Sequence, residues 1–220
     1  MIMKSLVIFD LDGTLLYTVP DIAAATNHAL SECGYPLHSE KDIASFIGNG
    51  INKLFERALP EGYKTTEEVL KIRKHFVSYY DIHCTDMTRP FSGIPELLRR
   101  LQDAGIMVAV ASNKYQKATS ILIGKFFPEI NFAAVFGERD GVPRPPAPAI
   151  VSDILEKAGI DNSMKGNVLY VGDSGVDMQT CINAGLEAVG VTWGCRTREE
   201  LASYSPAHIV DSPSEIWDLL

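Results

Sequence analysis

Apolar positions along the chain follow two rhythms. Short unbroken runs at residues 6–9, 107–111, 132–136, 168–171 and 188–192 show no alternation with polar residues. That is the pattern of parallel strands covered on both faces. Between the later runs lie stretches of helical period at 94–104, 116–127, 147–158 and 176–184. Gly105, Gly159 and Gly185 stand at three of their ends, where a residue free to take positive φ closes a helix, and Pro128 limits the fourth. Residues 16–88 differ: helical stretches at 20–33, 41–46, 51–59 and 66–83 follow one another with no strand between them. The expectation is a doubly wound, Rossmann-like α/β core with a mainly parallel sheet and right-handed crossovers, carrying an inserted all-α cap. The core is expected at 1–15 and 89–220 and the cap at 16–88. A short edge strand at 208–210 is expected before a last helix.

Composition narrows the function. The 220 residues are 46% hydrophobic and 22% charged, an ordinary globular balance that disfavours a disordered chain. The net charge of −8, without a Lys/Arg block, makes nucleic acid and anionic membrane poor partners. The early apolar run of four residues is too short for a leader core or a membrane span. Cys33, Cys84, Cys181 and Cys195 are scattered without zinc-type spacing, so a reducing cytoplasm is the expected address.

In open parallel sheets ligands bind beyond the carboxyl ends of the strands. Those ends carry Asp10, Asp12 and Thr14; Ser112, Asn113 and Lys114; and Asp173, Ser174 and Asp177. Clustered carboxylates repel one another unless a cation sits among them, and oxygen-only ligands favour Mg2+ over zinc. A metal, hydroxyls and helix-start N–H groups suit a phosphate. One carboxylate can then attack phosphorus while another, two residues on, protonates the leaving oxygen.

The segments DLDGT (10–14), the strand-end Ser112 and GDSGVD (172–177) resemble three motifs of the haloacid dehalogenase superfamily, in order and over nearly the whole chain. GNGINKLFERAL (48–59), SNK (112–114) and GVTWGCRTREEL (190–201) are similar to its phosphoglycolate phosphatases. The resemblance implies Asp10 as nucleophile and Asp12 as general acid and base. It places Mg2+ on Asp10, the Asp12 carbonyl and Asp173, supported by Ser174 and Asp177. Thr14 and Ser112, with Asn113 and Lys114 beside them, would hold phosphate. The loop Gly48-Asn49-Gly50 is expected both to link two cap helices and to approach substrate. The implied activity is Mg2+-dependent hydrolysis of a small phosphorylated metabolite of the phosphoglycolate kind, with no oligomer required.

The resemblance breaks once. The superfamily's third motif has a lysine before Pro-x-Pro, and in GVPRPPAP (141–148) that place falls on Pro145. A unit charge about 4 Å away is worth roughly 4 kcal/mol at an effective dielectric near 20, or about three orders of magnitude in rate. Arg144 can supply the charge, or Lys114 can. Otherwise the protein binds phosphate esters with little turnover, or Pro145 is itself an alteration in this chain. A phosphomutase of the same fold is a further alternative.

Overall fold

A computed structural model describes residues 4–220. In chain order the elements are β1 (Leu6–Phe9), β2 (Leu16–Tyr17), α1 (Val19–Glu32), α2 (Glu40–Phe46), α3 (Ile51–Ala58) and α4 (Thr66–His83). The chain continues through β3 (Arg89–Pro90), α5 (Ile94–Asp103), β4 (Met107–Tyr115), α6 (Gln116–Phe126), β5 (Phe132–Glu138) and α7 (Ala149–Lys157). It ends with β6 (Val168–Gly172), α8 (Gly175–Ala184), β7 (Glu187–Val191), α9 (Arg198–Ala202), β8 (His208–Val210) and α10 (Pro213–Trp217).

Six strands form one sheet in the order β5-β4-β1-β6-β7-β8, every pair parallel. β1 and β6 are buried along their whole length, which is why neither alternates apolar with polar residues. The doubly wound α/β expectation therefore holds, with 208–210 as the edge strand. After β1 the chain builds outward through β4 and β5, then returns to the other side of β1 with β6. The crevice at this reversal lies beyond the ends of β4, β1 and β6.

β2 and β3, two residues each, pair antiparallel at the points where the helical stretch leaves and rejoins the rest of the chain. Pattern reading missed this ribbon because two residues carry no period. Asp21, buried near the start of α1, accepts hydrogen bonds from the backbone N–H groups of Met87 (3.0 and 3.1 Å) and Thr88 (2.8 Å). It thereby ties the first helix to the returning strand.

Two boundaries differ in ways that matter below. β4 runs to Tyr115 rather than ending at 111, so Ser112, Asn113 and Lys114 lie on extended backbone at its tip. α7 begins at Ala149 instead of 147, because Pro145 and Pro146 form a turn closed by Ala147 N–H donating to the Arg144 carbonyl (2.9 Å). Proline cannot donate the bonds a longer helix needs there.

Candidate active site

β1 ends with Asp10, and the tight turn that follows carries Gly13 at φ +89°, a left-handed conformation that favours glycine. A Cβ on Gly13 or on Gly194 would overlap the Asp173 side chain, so these two glycines are what let the chain close around that carboxylate. β6 delivers Asp173 from its tip. Ser174 and Asp177 then form a capping box at the start of α8.

Asp10, Asp173 and Asp177 are buried, and one oxygen of each lies within 4.8 Å of the others. Burial pushes all three pKa values up, and repulsion from neighbouring carboxylates adds to it for Asp10 and Asp173. Asp10 is raised well above the ordinary value, by burial first and then by Asp177, Asp173 and Asp12. Asp173 is raised to about 7 by burial and Asp177. Asp177 is raised to about 6, burial outweighing its hydrogen bonds from Ser174 and Tyr170. Three costly buried carboxylates sharing one small space fit a hard divalent cation with oxygen ligands. Cys195 N–H donates to Asp173 (2.6 Å), and Ser174 Oγ–H (2.6 Å) and N–H (3.0 Å) donate to Asp177, fixing both groups.

Asp12 is oriented differently. One carboxylate oxygen accepts from Thr18 Oγ (2.7 Å), and the other faces Lys114 Nζ at 3.1 Å. Its side chain stands apart from the three-carboxylate group, leaving the Asp12 carbonyl as the ligand atom the resemblance assigns. The Lys114 side chain is 6% exposed and its ammonium also lies 4.7 Å from the centre of the Tyr80 ring. Thr14 Oγ is buried with no protein partner, as is Asn113 Oδ1, so both sit ready for a polar group from outside the chain. Asn113 Nδ2 donates to the Gly48 carbonyl across to the helical segment (2.9 Å).

One cavity gathers Asp10, Asp12, Asp173, Ser174, Asp177, Ser112, Asn113, Lys114, Gly48 and Gly50. Three expected residues are not in its lining: Thr14, whose hydroxyl is buried, Arg144 and Asn49. Arg144 pairs with Glu138 (2.5 Å) and lies against Gly50, so its charge is directed to that carboxylate and not to the acid cluster. Asn49 accepts a hydrogen bond from Arg57 (2.7 Å) and faces a neighbouring cleft.

Sequence reading missed Thr18, Tyr170, Trp193 and Arg196. Trp193 Nε1 donates to the Thr14 carbonyl (3.0 Å), bracing the turn that follows Asp10. Arg196 lines the cavity and donates to the carbonyls of Ala44, Ser45 and Ile47 (3.5, 3.3 and 2.8 Å) at the end of α2. Its position inside GVTWGCRTREEL was its one visible signal.

The family model for haloacid dehalogenase-like hydrolases matches residues 7–191. A phosphoglycolate phosphatase of Vibrio parahaemolyticus is 31% identical over 98% of this chain and 95% of its own. A crystal structure from Lactobacillus delbrueckii subsp. bulgaricus superposes with a TM-score of 0.90 at 32% identity, covering 99% of this chain and 98% of its own. That of a predicted phosphoglycolate phosphatase from Haemophilus somnus gives 0.89 at 29% identity, covering 98% and 97%. The chain belongs to the haloacid dehalogenase-like hydrolases.

Proposed function

We propose that this chain is a Mg2+-dependent phosphatase acting on a small phosphomonoester through an aspartyl phosphate at Asp10. Residues 16–88 serve as its cap and the remainder as its core. The observation that carries the reading is the convergence of Asp10, Asp173 and Asp177 within 4.8 Å, with Asp12 held beside them by Thr18 and Lys114.

Mg2+ on Asp10, Asp173, Asp177 and the Asp12 carbonyl would supply positive charge to carboxylate and phosphate oxygens alike. An Asp10 oxygen attacks phosphorus, the bond to the leaving alcohol breaks, and Asp12 gives that oxygen its proton. Asp12 then takes a proton from a water whose oxygen attacks the aspartyl phosphate, releasing phosphate and restoring Asp10. Thr14, Ser112 and Asn113 offer polar groups to phosphate oxygens. Lys114 supplies the cation that Pro145 lacks, since its ammonium is already 3.1 Å from Asp12 while Arg144 is paired with Glu138. The Gly48–Gly50 loop, hydrogen-bonded to Asn113, closes the cap side and limits water. The relatives' name makes phosphoglycolate the reference substrate.

Phosphate release from phosphomonoesters tests this. The unmodified chain is expected to turn over only with Mg2+, to stop with chelator, and to lose activity as Asp10→Asn. Release that persists in Asp10→Asn or with chelator overturns it. Formation of an isomeric sugar phosphate without free phosphate would transfer the site to a mutase.

A further inference from the structure

Among the described residues the cavity lining holds two cations, Lys114 and Arg196, both from the core. Lys114 faces Asp12 at 3.1 Å, so its charge is already met by a carboxylate. Arg196 is not met in this way. It sits half-buried in the loop after β7, and its hydrogen-bond partners among the described residues are neutral. Nη1 donates to the Ala44 carbonyl (3.5 Å), and Nη2 to those of Ser45 (3.3 Å) and Ile47 (2.8 Å). These carbonyls close α2, where a helix leaves its last acceptors unmet and its dipole favours a cation. They orient the guanidinium without cancelling its charge, and Nε–H keeps no acceptor among the described residues. The bonds fix it directly before the Gly48–Gly50 loop, which Asn113 holds from the core through the Gly48 carbonyl. Ile47, Ile51 and Leu54 line the same space, and an apolar surround strengthens a charge's interaction with a partner. Arg57 and Lys53 do not compete: both lie outside the lining, the first bonded to Phe46 and Asn49 and the second to Glu56.

We infer that Arg196 is the specificity-determining residue of this cavity, the partner of a carboxylate carried by the leaving group of a small phosphomonoester. The inference rests on the phosphatase reading, which puts the phosphate at the aspartates and Ser112 and leaves the rest of the molecule to the remaining lining. A carboxylate entering there meets one cation that no side chain has neutralised, since Lys114 is held by Asp12, and Arg144, outside the lining, by Glu138. A hydrogen bond between guanidinium and carboxylate is about twice as strong as a neutral one. An alkyl group of the same length makes no such bond. Because the same guanidinium holds the end of α2, the bound carboxylate joins core and cap across the substrate.

The test compares kcat/KM for phosphoglycolate with that for propyl phosphate, which has the same chain length without the charge, using the full chain with Mg2+. The unmodified chain is expected to favour phosphoglycolate. Arg196→Gln keeps an N–H donor but removes the charge, and is expected to cut the ratio of the two esters by about 10- to 100-fold. Arg196→Lys, which restores the charge without the planar fork, is expected to recover part of it. A role confined to holding α2 lowers both esters together and leaves the ratio unchanged. That result, or equal turnover of the two esters by the unmodified chain, overturns the inference. So does a ratio that collapses in Lys114→Met and not in Arg196→Gln, which would make Lys114 the carboxylate's partner. If the unmodified chain hydrolyses neither ester, the phosphatase reading fails separately. Calorimetric titration of the unmodified chain and of Arg196→Gln with the two esters and Mg2+ then decides. A preference for phosphoglycolate that the variant loses sustains the inference; a preference that it keeps, or none in either protein, ends it.

Discussion

Lys114 and Arg144 are two basic residues with opposite surroundings. Lys114 is nearly buried beside Asp12, whereas Arg144 is partly exposed and already neutralised by Glu138. Replacing the first removes charge from beside Asp12; replacing the second removes it from beside Glu138. Lys114→Met is therefore expected to lower kcat by about 100- to 1000-fold. Arg144→Ala is expected to cost less than about tenfold, and steady-state kinetics on a common ester orders the two. A larger loss for Arg144→Ala would move the substitute cation to that residue. Gly194 is a quieter residue with a sharper demand, because an added Cβ would overlap Asp173. Gly194→Ala is expected to raise the Mg2+ concentration for half-maximal activity by at least about tenfold while leaving the circular dichroism spectrum unchanged. Equal Mg2+ dependence in variant and parent would show that Asp173 can shift without consequence.

At the level of elements, the helical segment is held by contacts far apart in sequence. Asp21 spans to Met87 and Thr88, and it does so fully buried as an acceptor for both N–H groups. Asp21→Ala leaves those donors unmet, and urea unfolding is expected to show a loss of about 2–4 kcal/mol. A loss under about 1 kcal/mol would mean the ribbon is held by β2 and β3 alone. Such long-range ties mark where sequence reading stopped. Eight helices and five of the six sheet strands were legible within a residue or two because their signals are local, namely period, glycine stops and a limiting proline, while β4 runs four residues past its expected end. Asp10 and Asp173 were legible because each follows the end of a strand, β1 and its neighbour β6, and Asp177 because it lies in the first turn of the helix that β6 leads into. The β2–β3 ribbon was not legible because it depends on where the chain returns after some seventy residues, whereas Thr18 is only six residues from Asp12 and was missed because the fold of the intervening turn decides whether they meet. The choice between Lys114 and Arg144 likewise needed Glu138 in place.

For the whole molecule the three buried carboxylates set a cost that depends on pH. An acid with a higher pKa in the folded than in the unfolded protein keeps its proton longer when folded. Below the unfolded value both states are protonated and nothing is lost. As pH rises from about 4 the unfolded chain ionises freely, and stability falls until the folded group titrates in turn. For Asp173, raised to about 7 from 3.8, the loss amounts to about 4 kcal/mol, complete near pH 7. Asp177, raised to about 6, adds to it in the lower part of that range, and Asp10 moves in the same direction. A divalent cation bound at the ionised carboxylates, as proposed, would stabilise the fold according to its concentration over its Kd. The metal-free protein is thus expected to lose thermal stability between pH 5 and 8, while added Mg2+ raises Tm far more at pH 8 than at pH 5. Asp173→Asn is expected to flatten the metal-free profile and to remove most of the Mg2+ gain, because it deletes both the costly charge and the ligand. Scanning calorimetry at the two pH values, with and without Mg2+, reads all of this directly. A Mg2+ shift of the same size at both would mean that the cation binds away from the cluster, and the aspartates would then have to be explained as a buried acid network carrying protons at neutral pH.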